Sequence, residues 1–176
     1  RGEMAGYAHS TTLDVVALRR AGETVRLAIR DGNGVVAGDP VRTNRKLYDE
    51  IDPTADAEFA VKIDVLKQID DYLRSRDAHV VQVSASMAAS FQEVEILRAS
   101  GERYVDARPM ARVNISVIVE RDGRRESAAA GGGGRFGLAG MLEPSHWQPV
   151  ADEALRVALV NLDAVPAPAG TMDIVL

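Results

Sequence analysis

Three histidines are spread thinly along the chain, at His9, His79 and His146. A helical metal site needs two imidazoles three or four residues apart, so that both leave one face. These three stand far outside that spacing, and each reads as solvent-facing or hydrogen-bonded. There is no cysteine, which removes thiolate ligands, thiol nucleophiles and disulfides from within the chain. Asp49, Glu50 and Asp52 crowd before Pro53 with no His or Cys beside them in the sequence, so they read as a solvated turn. Asp70 and Asp71 are adjacent on a helix and point to different faces. Ser84 and Ser86 alternate along a strand with no base nearby, and no Gly-x-Ser-x-Gly elbow exists. Read from its own residues, the chain carries no catalytic set and no metal set.

The remaining unusual chemistry is an absence of side chains. Gly131 to Gly134 follow three alanines and precede Arg135 and Phe136. Glycine loses the most backbone entropy on folding, so such a run weakens whatever element contains it. Gly132-x-Gly134-x-x-Gly137 matches the form of a dinucleotide fingerprint, which needs a helix to receive the pyrophosphate. Gly140 and Pro144 leave little room for one, and no Gly-Lys-Ser/Thr ends the run as a phosphate loop requires. Two readings stay open. The run is a flexible turn between Arg125 and the last helix, or it is a strand with one face and an edge stripped bare, against which another backbone lies.

The elements around it follow from periodicity. Residues 3–8 suit a short strand. Leu13, Val16, Ala17, Ala21, Val25, Ala28 and Ile29 recur as one face of a helix over about 12–31, capped by Ser10 or Thr11. Residues 38–53 read as a charged connecting loop. A second helix over about 56–76 has Phe59, Ile63, Leu66, Ile69 and Leu73 as its core stripe. After Asp77 the period becomes two. HVVQVSASMAAS, FQEVEILRAS, RYVDARPM and ARVNISVIVE are four strand candidates, and their short turns force antiparallel pairing. A return strand starts near Arg124. A last helix over about 146–162 precedes a terminal strand from Thr171. The expected fold is α+β, an antiparallel β-meander packed with two to three amphipathic helices. It is read as one domain over 1–176, with 1–77 mainly helical and 78–176 mainly sheet with one helix.

Bulk composition excludes several classes of function. Lys plus Arg number 21 against 26 Asp plus Glu, a net charge of −5, where nucleic acid demands a basic surface. The apolar runs, such as ISVIV from Ile115, are strand-sized and too short to span a bilayer. No signal peptide is visible, so cytoplasmic is the default location. Arg1 in place of an initiator Met, and a strand-like end without a closing loop, read as a piece of something larger.

ARPMARVNISVIVERDGRRESAAAGGGGRFG closely resembles the middle of TldD-type chains in the TldD/PmbA family of metalloproteases, once called modulators of DNA gyrase. GYAHSTTLDVVAL, LYDEIDPTAD and ALVNLDAVPAPAGTMDIVL are similar to the same family, so the resemblance covers nearly the whole chain. It implies a parent protease whose zinc is held by a His-Glu-x-x-x-His helix and a distant cysteine, all beyond Leu176. This chain then supplies the N-terminal scaffold and substrate channel, with no catalytic residue and no cofactor of its own, and is inactive alone. The implied substrate is unfolded polypeptide. The implied partner is a PmbA-type homologous subunit, or a second copy. On this reading Gly132, Gly133, Gly134, Arg135 and Phe136 lie near the substrate. Arg135 meets a carbonyl or carboxylate, Phe136 forms a wall, and Gly133→Val leaves the fold intact. The rivals are a non-catalytic protein-interaction module and, more weakly, a nucleotide-binding domain.

Overall fold

The computed structural model describes residues 6–28, 48, 50–98, 101–167, 169–171 and 173. The chain divides into two compact units, Arg1–Asn44 and Arg45–Leu176. In the first, Val15–Ala28 form helix α1. Its cap is Asp14, whose Oδ1 accepts the Ala17 N–H at 2.7 Å, while Ser10 Oγ accepts the Thr12 N–H ahead of the helix. The expected cap at Ser10 or Thr11 therefore moves to Asp14, and Leu13 falls before the helix, exposed. Gly6 to Ala8 form no strand, and the rest of that proposed element lies outside the described residues, as do the 31–34 turn and most of the 38–53 loop.

The second unit holds helix α2 (Phe59–Arg76), strands β1 (Val80–Leu97), β2 (Arg103–Arg121) and β3 (Arg124–Gly134), a single-turn helix α3 (Leu138–Met141) and helix α4 (Pro144–Asp163). The strands form an antiparallel sheet in the order β1-β2-β3. The fold is α+β, as the periodicity indicates. The four strand candidates, however, are two continuous strands. The first two segments run together as β1 and the next two as β2. Pro109 does not interrupt β2, because β3 stops opposite Ala111 and the strand has only one neighbour at the proline. Asp122 and Gly123, both at positive φ, close β2 onto β3 as a two-residue hairpin turn.

One face of the sheet is covered. Ala111, Val113, Ile115, Val117 and Val119 alternate along the central strand β2 and are all buried. Helix α2 lies against β1, and α4 against β3 and β2. From α2 the core receives Val65, Ile69 and Leu73, and from α4 Trp147, Ala151, Ala154, Leu155, Ala158 and Leu162. Each large aliphatic side chain buried here contributes about 1.5–3 kcal/mol. Phe59, assigned to the core stripe from sequence, is 75% exposed because it is the first residue of α2 and lies beyond the sheet-facing turn. The two helices meet where the Tyr72 and Trp147 rings stack edge to face, and Tyr72 Oη donates to Asp152 Oδ1 at 2.9 Å. Burial, then that carboxylate, push the Tyr72 hydroxyl above its ordinary pKa.

The arginines of the β2–β3 turn are structural. Arg124 donates to the Asn161 and Ala164 carbonyls at the C-terminal end of α4, both at 2.9 Å. Arg121 pairs with Asp163, and Arg125 with Glu120 across the strands.

Candidate functional site

The glycine run is the last third of β3, not a turn. Among the described residues β3 pairs on one side only, with β2, so its other side is a sheet edge. Gly131, Gly132, Gly133 and Gly134 stand opposite Asn114, Val113, Arg112 and Ala111. None of the four has a positive φ, so turn geometry does not account for them.

Close approach does. A Cβ on Gly132 would meet Val150 Cγ2 of α4 at 3.0 Å, and one on Gly134 would meet the Phe136 ring at 2.5 Å. On the uncovered face, a Cβ on Gly131 would meet Arg112 Nη2 at 2.6 Å and Asn114 Oδ1 at 2.7 Å. At Gly133 the obstacle is backbone, with the Ala111 carbonyl oxygen at 2.4 Å and Arg112 Cα at 2.9 Å. Gly133→Val therefore does not fit this fold, contrary to the expectation from strand propensity. Propensity describes a side chain on a regular ladder, whereas β2 and β3 are too close here for any side chain.

Phe136 folds back over Gly134 and packs against the core. Arg135 is exposed, with its guanidinium carbon 5.0 Å from the centroid of the Tyr48 ring, a cation–π contact. Asp56 braces the turn that follows. Its Oδ2 accepts the Ala139 N–H at 3.0 Å. That carboxylate occupies the N-terminal end of α3, the place a bound pyrophosphate would need, and α3 has only four residues. Two stretches distant in sequence, 48–56 and 131–139, thus converge.

Arg112 and Asn114 are the site residues that sequence reasoning passed over. Arg112 Nε donates to Asn114 Oδ1 at 2.7 Å, which lays the guanidinium over Gly131. The signal was present in the alternation. Both sit between the apolar residues of ARVNISV and so face away from the core.

The other chemistry-bearing residues have local roles. Asp52 Oδ1 accepts the Thr54 hydroxyl at 2.6 Å and the Thr54 N–H at 2.8 Å, which lowers its pKa. Asp49 lies outside the described residues. Asp77 accepts the His79 N–H at 2.8 Å and contacts the His79 ring nitrogen at 2.6 Å. Asp70 pairs with Arg74. Ser84 and Ser86 stand exposed on the uncovered face. Among the described residues no three His, Cys, Asp or Glu side chains cluster as a metal site would require. These residues do not fit a zinc centre, and no step through zinc is assigned to them. No described helix is long and apolar enough to cross a membrane.

Residues 52–162 match the PmbA/TldA metallopeptidase central domain. The chain is 36% identical to a metalloprotease TldD homolog of Haemophilus influenzae and 30% identical to one of Buchnera aphidicola (subsp. Schizaphis graminum), each match covering 99% of this chain and 38% of the relative. It therefore spans well under half the length of these relatives. Two solved structures share the fold. A Bacteroides thetaiotaomicron protein described as a modulator of DNA gyrase superposes with a TM-score of 0.59 at 15% identity, covering 89% of this chain and 37% of that one. TldE from Thermococcus kodakarensis superposes with a TM-score of 0.61 at 13% identity, covering 82% and 31%. With the central-domain match spanning α2, the whole sheet and α4, the chain belongs to the PmbA/TldA metallopeptidase family.

Proposed function

We propose that this chain is the scaffold and substrate-channel part of a TldD-like zinc metalloprotease that hydrolyses peptide bonds in unfolded polypeptides. The outer edge of β3 is where the peptide lies. The carrying observation is that edge. It presents backbone donors and acceptors over Arg124–Gly134, and its last four residues project no side chain onto the uncovered face. A strand added there gains main-chain hydrogen bonds without regard to its sequence, which is what cleavage of unfolded chains requires. The zinc, its ligands and the cleavage chemistry belong to the rest of the parent protein. The glycines contribute by letting β2, α4 and the Arg112 side chain close up behind the edge. Arg135 is the substrate-facing group of the original five candidates, and Phe136 supports the strand from the core side.

A PmbA-type subunit is the partner we propose for the parent. The far end of the β1–β2 ribbon gives it apolar surface to cover, since Ile96, Leu97 and Val105 are exposed there. The test uses the full-length protein, inactivated by chelation so that substrate is bound but not cut. An unfolded peptide carrying a photo-cross-linker is added, and the adducts are mapped by mass spectrometry. Adducts along 127–135 are expected. Adducts that avoid β3 would overturn the edge assignment, and peptidase activity that survives chelation would overturn the metal assignment.

A further inference from the structure

Every other described arginine of the second unit is held by a carboxylate, from Arg74 on Asp70 to Arg156 on Glu153. Arg112 and Arg135 are the exceptions among the described arginines of that unit, and both stand at the glycine end of β3. Arg112 is also aimed. Asn114 takes its Nε hydrogen, and Gly131 provides the bare backbone over which the guanidinium lies, with Cζ 3.2 Å from the point a Cβ would occupy. The side chain starts on β2 and reaches over β3 at Gly131, where its Nη2 lies 2.6 Å from the point a Cβ would occupy and no carboxylate holds it.

We propose that Arg112 selects extended peptides bearing an acidic side chain, whose carboxylate it receives on the uncovered face beside the β3 edge, with Arg135 adding positive charge next to it. This rests on the edge reading above and adds a substrate preference to it. A strand bonded to the edge lies about 4.8 Å beyond β3 and turns alternate side chains onto the uncovered face. An Asp or Glu at one of those positions comes within reach of the guanidinium fork, whose planar donors match a carboxylate in two parallel hydrogen bonds. Gly131 is then part of the selectivity, because a side chain there would lift the guanidinium away.

The test titrates this chain with two labelled, C-terminally amidated extended peptides that differ only by Glu or Gln at one central position. Binding is read by fluorescence anisotropy. The Glu peptide is expected to bind about tenfold more tightly at low salt, as a charge-assisted pair would give. Arg112→Gln should erase the preference, and Arg112→Lys should restore part of it, with melting temperatures showing that both variants fold. Equal affinity for the two peptides, or a preference that survives Arg112→Gln, refutes the proposal. So does a gain seen only when the Gln peptide carries a free C-terminus, which would mean that chain ends are read instead. Equal binding leaves the edge reading standing, whereas no binding by either peptide removes both.

Discussion

Asp56 Oδ2 lies 2.6 Å from the point where a Cβ of residue 137 would stand, and the same oxygen accepts the Ala139 N–H. Gly137 is therefore the only kind of residue that lets the 48–56 segment clamp the turn leaving the glycine strand. Ile51 closes the same spot from the side, its Cγ2 3.3 Å from that point.

Asp56→Ala should lower stability by about 1–2 kcal/mol, through loss of a charge-assisted bond to a helix-start N–H. Gly137→Ala should break the same bond by displacing the carboxylate. The double variant should then cost clearly less than the sum of the singles. Chemical denaturation of the four proteins checks this, and additive costs would contradict a shared contact.

Gly133→Ala should destabilise the fold by more than about 1 kcal/mol, because the Ala111 carbonyl oxygen is backbone and cannot move aside as a side chain can. Gly131→Ala should cost less, since its obstacles are the ends of the Arg112 and Asn114 side chains. Gly22→Ala, in the middle of α1 with open space around it, should instead stabilise that helix by about 1 kcal/mol. Melting curves give the order of the three, and a Gly133→Ala protein as stable as the parent would refute the close strand approach.

Arg124→Ala should cost about 1 kcal/mol, since two carbonyls at the end of α4 lose their donor and the helix dipole loses a compensating cation. Arg124→Lys should recover the charge but not the paired geometry, leaving an intermediate value. Hydrogen exchange should quicken in the last turn of α4 and leave α2 unaffected.

Asp77 has its pKa held below the ordinary carboxylate value, first by the His79 N–H and further by the His79 ring. A depressed folded-state pKa stabilises above the unfolded pKa and is lost as pH falls through the folded one. Stability should therefore drop on acidification from about pH 4 downward, and Asp77→Asn should flatten that part of the curve. Denaturation midpoints between pH 5 and 2 read the difference, and identical slopes would show that Asp77 is not responsible.

Periodicity alone determined the type of the long elements, α1, α2, β1, β2 and α4. The change from helical to two-residue alternation after Asp77 marked α2 against the sheet, and ARVNISVIVE declared which face of β2 is buried, because a strand with one face on a core must alternate. The resemblance carried by GGGGRFG led to the family before any coordinates did. Tertiary structure decided the rest. Strand length escaped the sequence because Pro109 reads as a break, and only the shortness of β3 makes it harmless. The role of the glycines escaped it because a missing side chain records that something comes near without recording what. Here it is Val150, Phe136, the Ala111 carbonyl, Asn114 and the Arg112 guanidinium, five neighbours from three places in the chain. Arg112 escaped it for the same reason. Whether an arginine is paired depends on which carboxylates the fold brings within reach, and that distance is set by packing rather than by order along the chain.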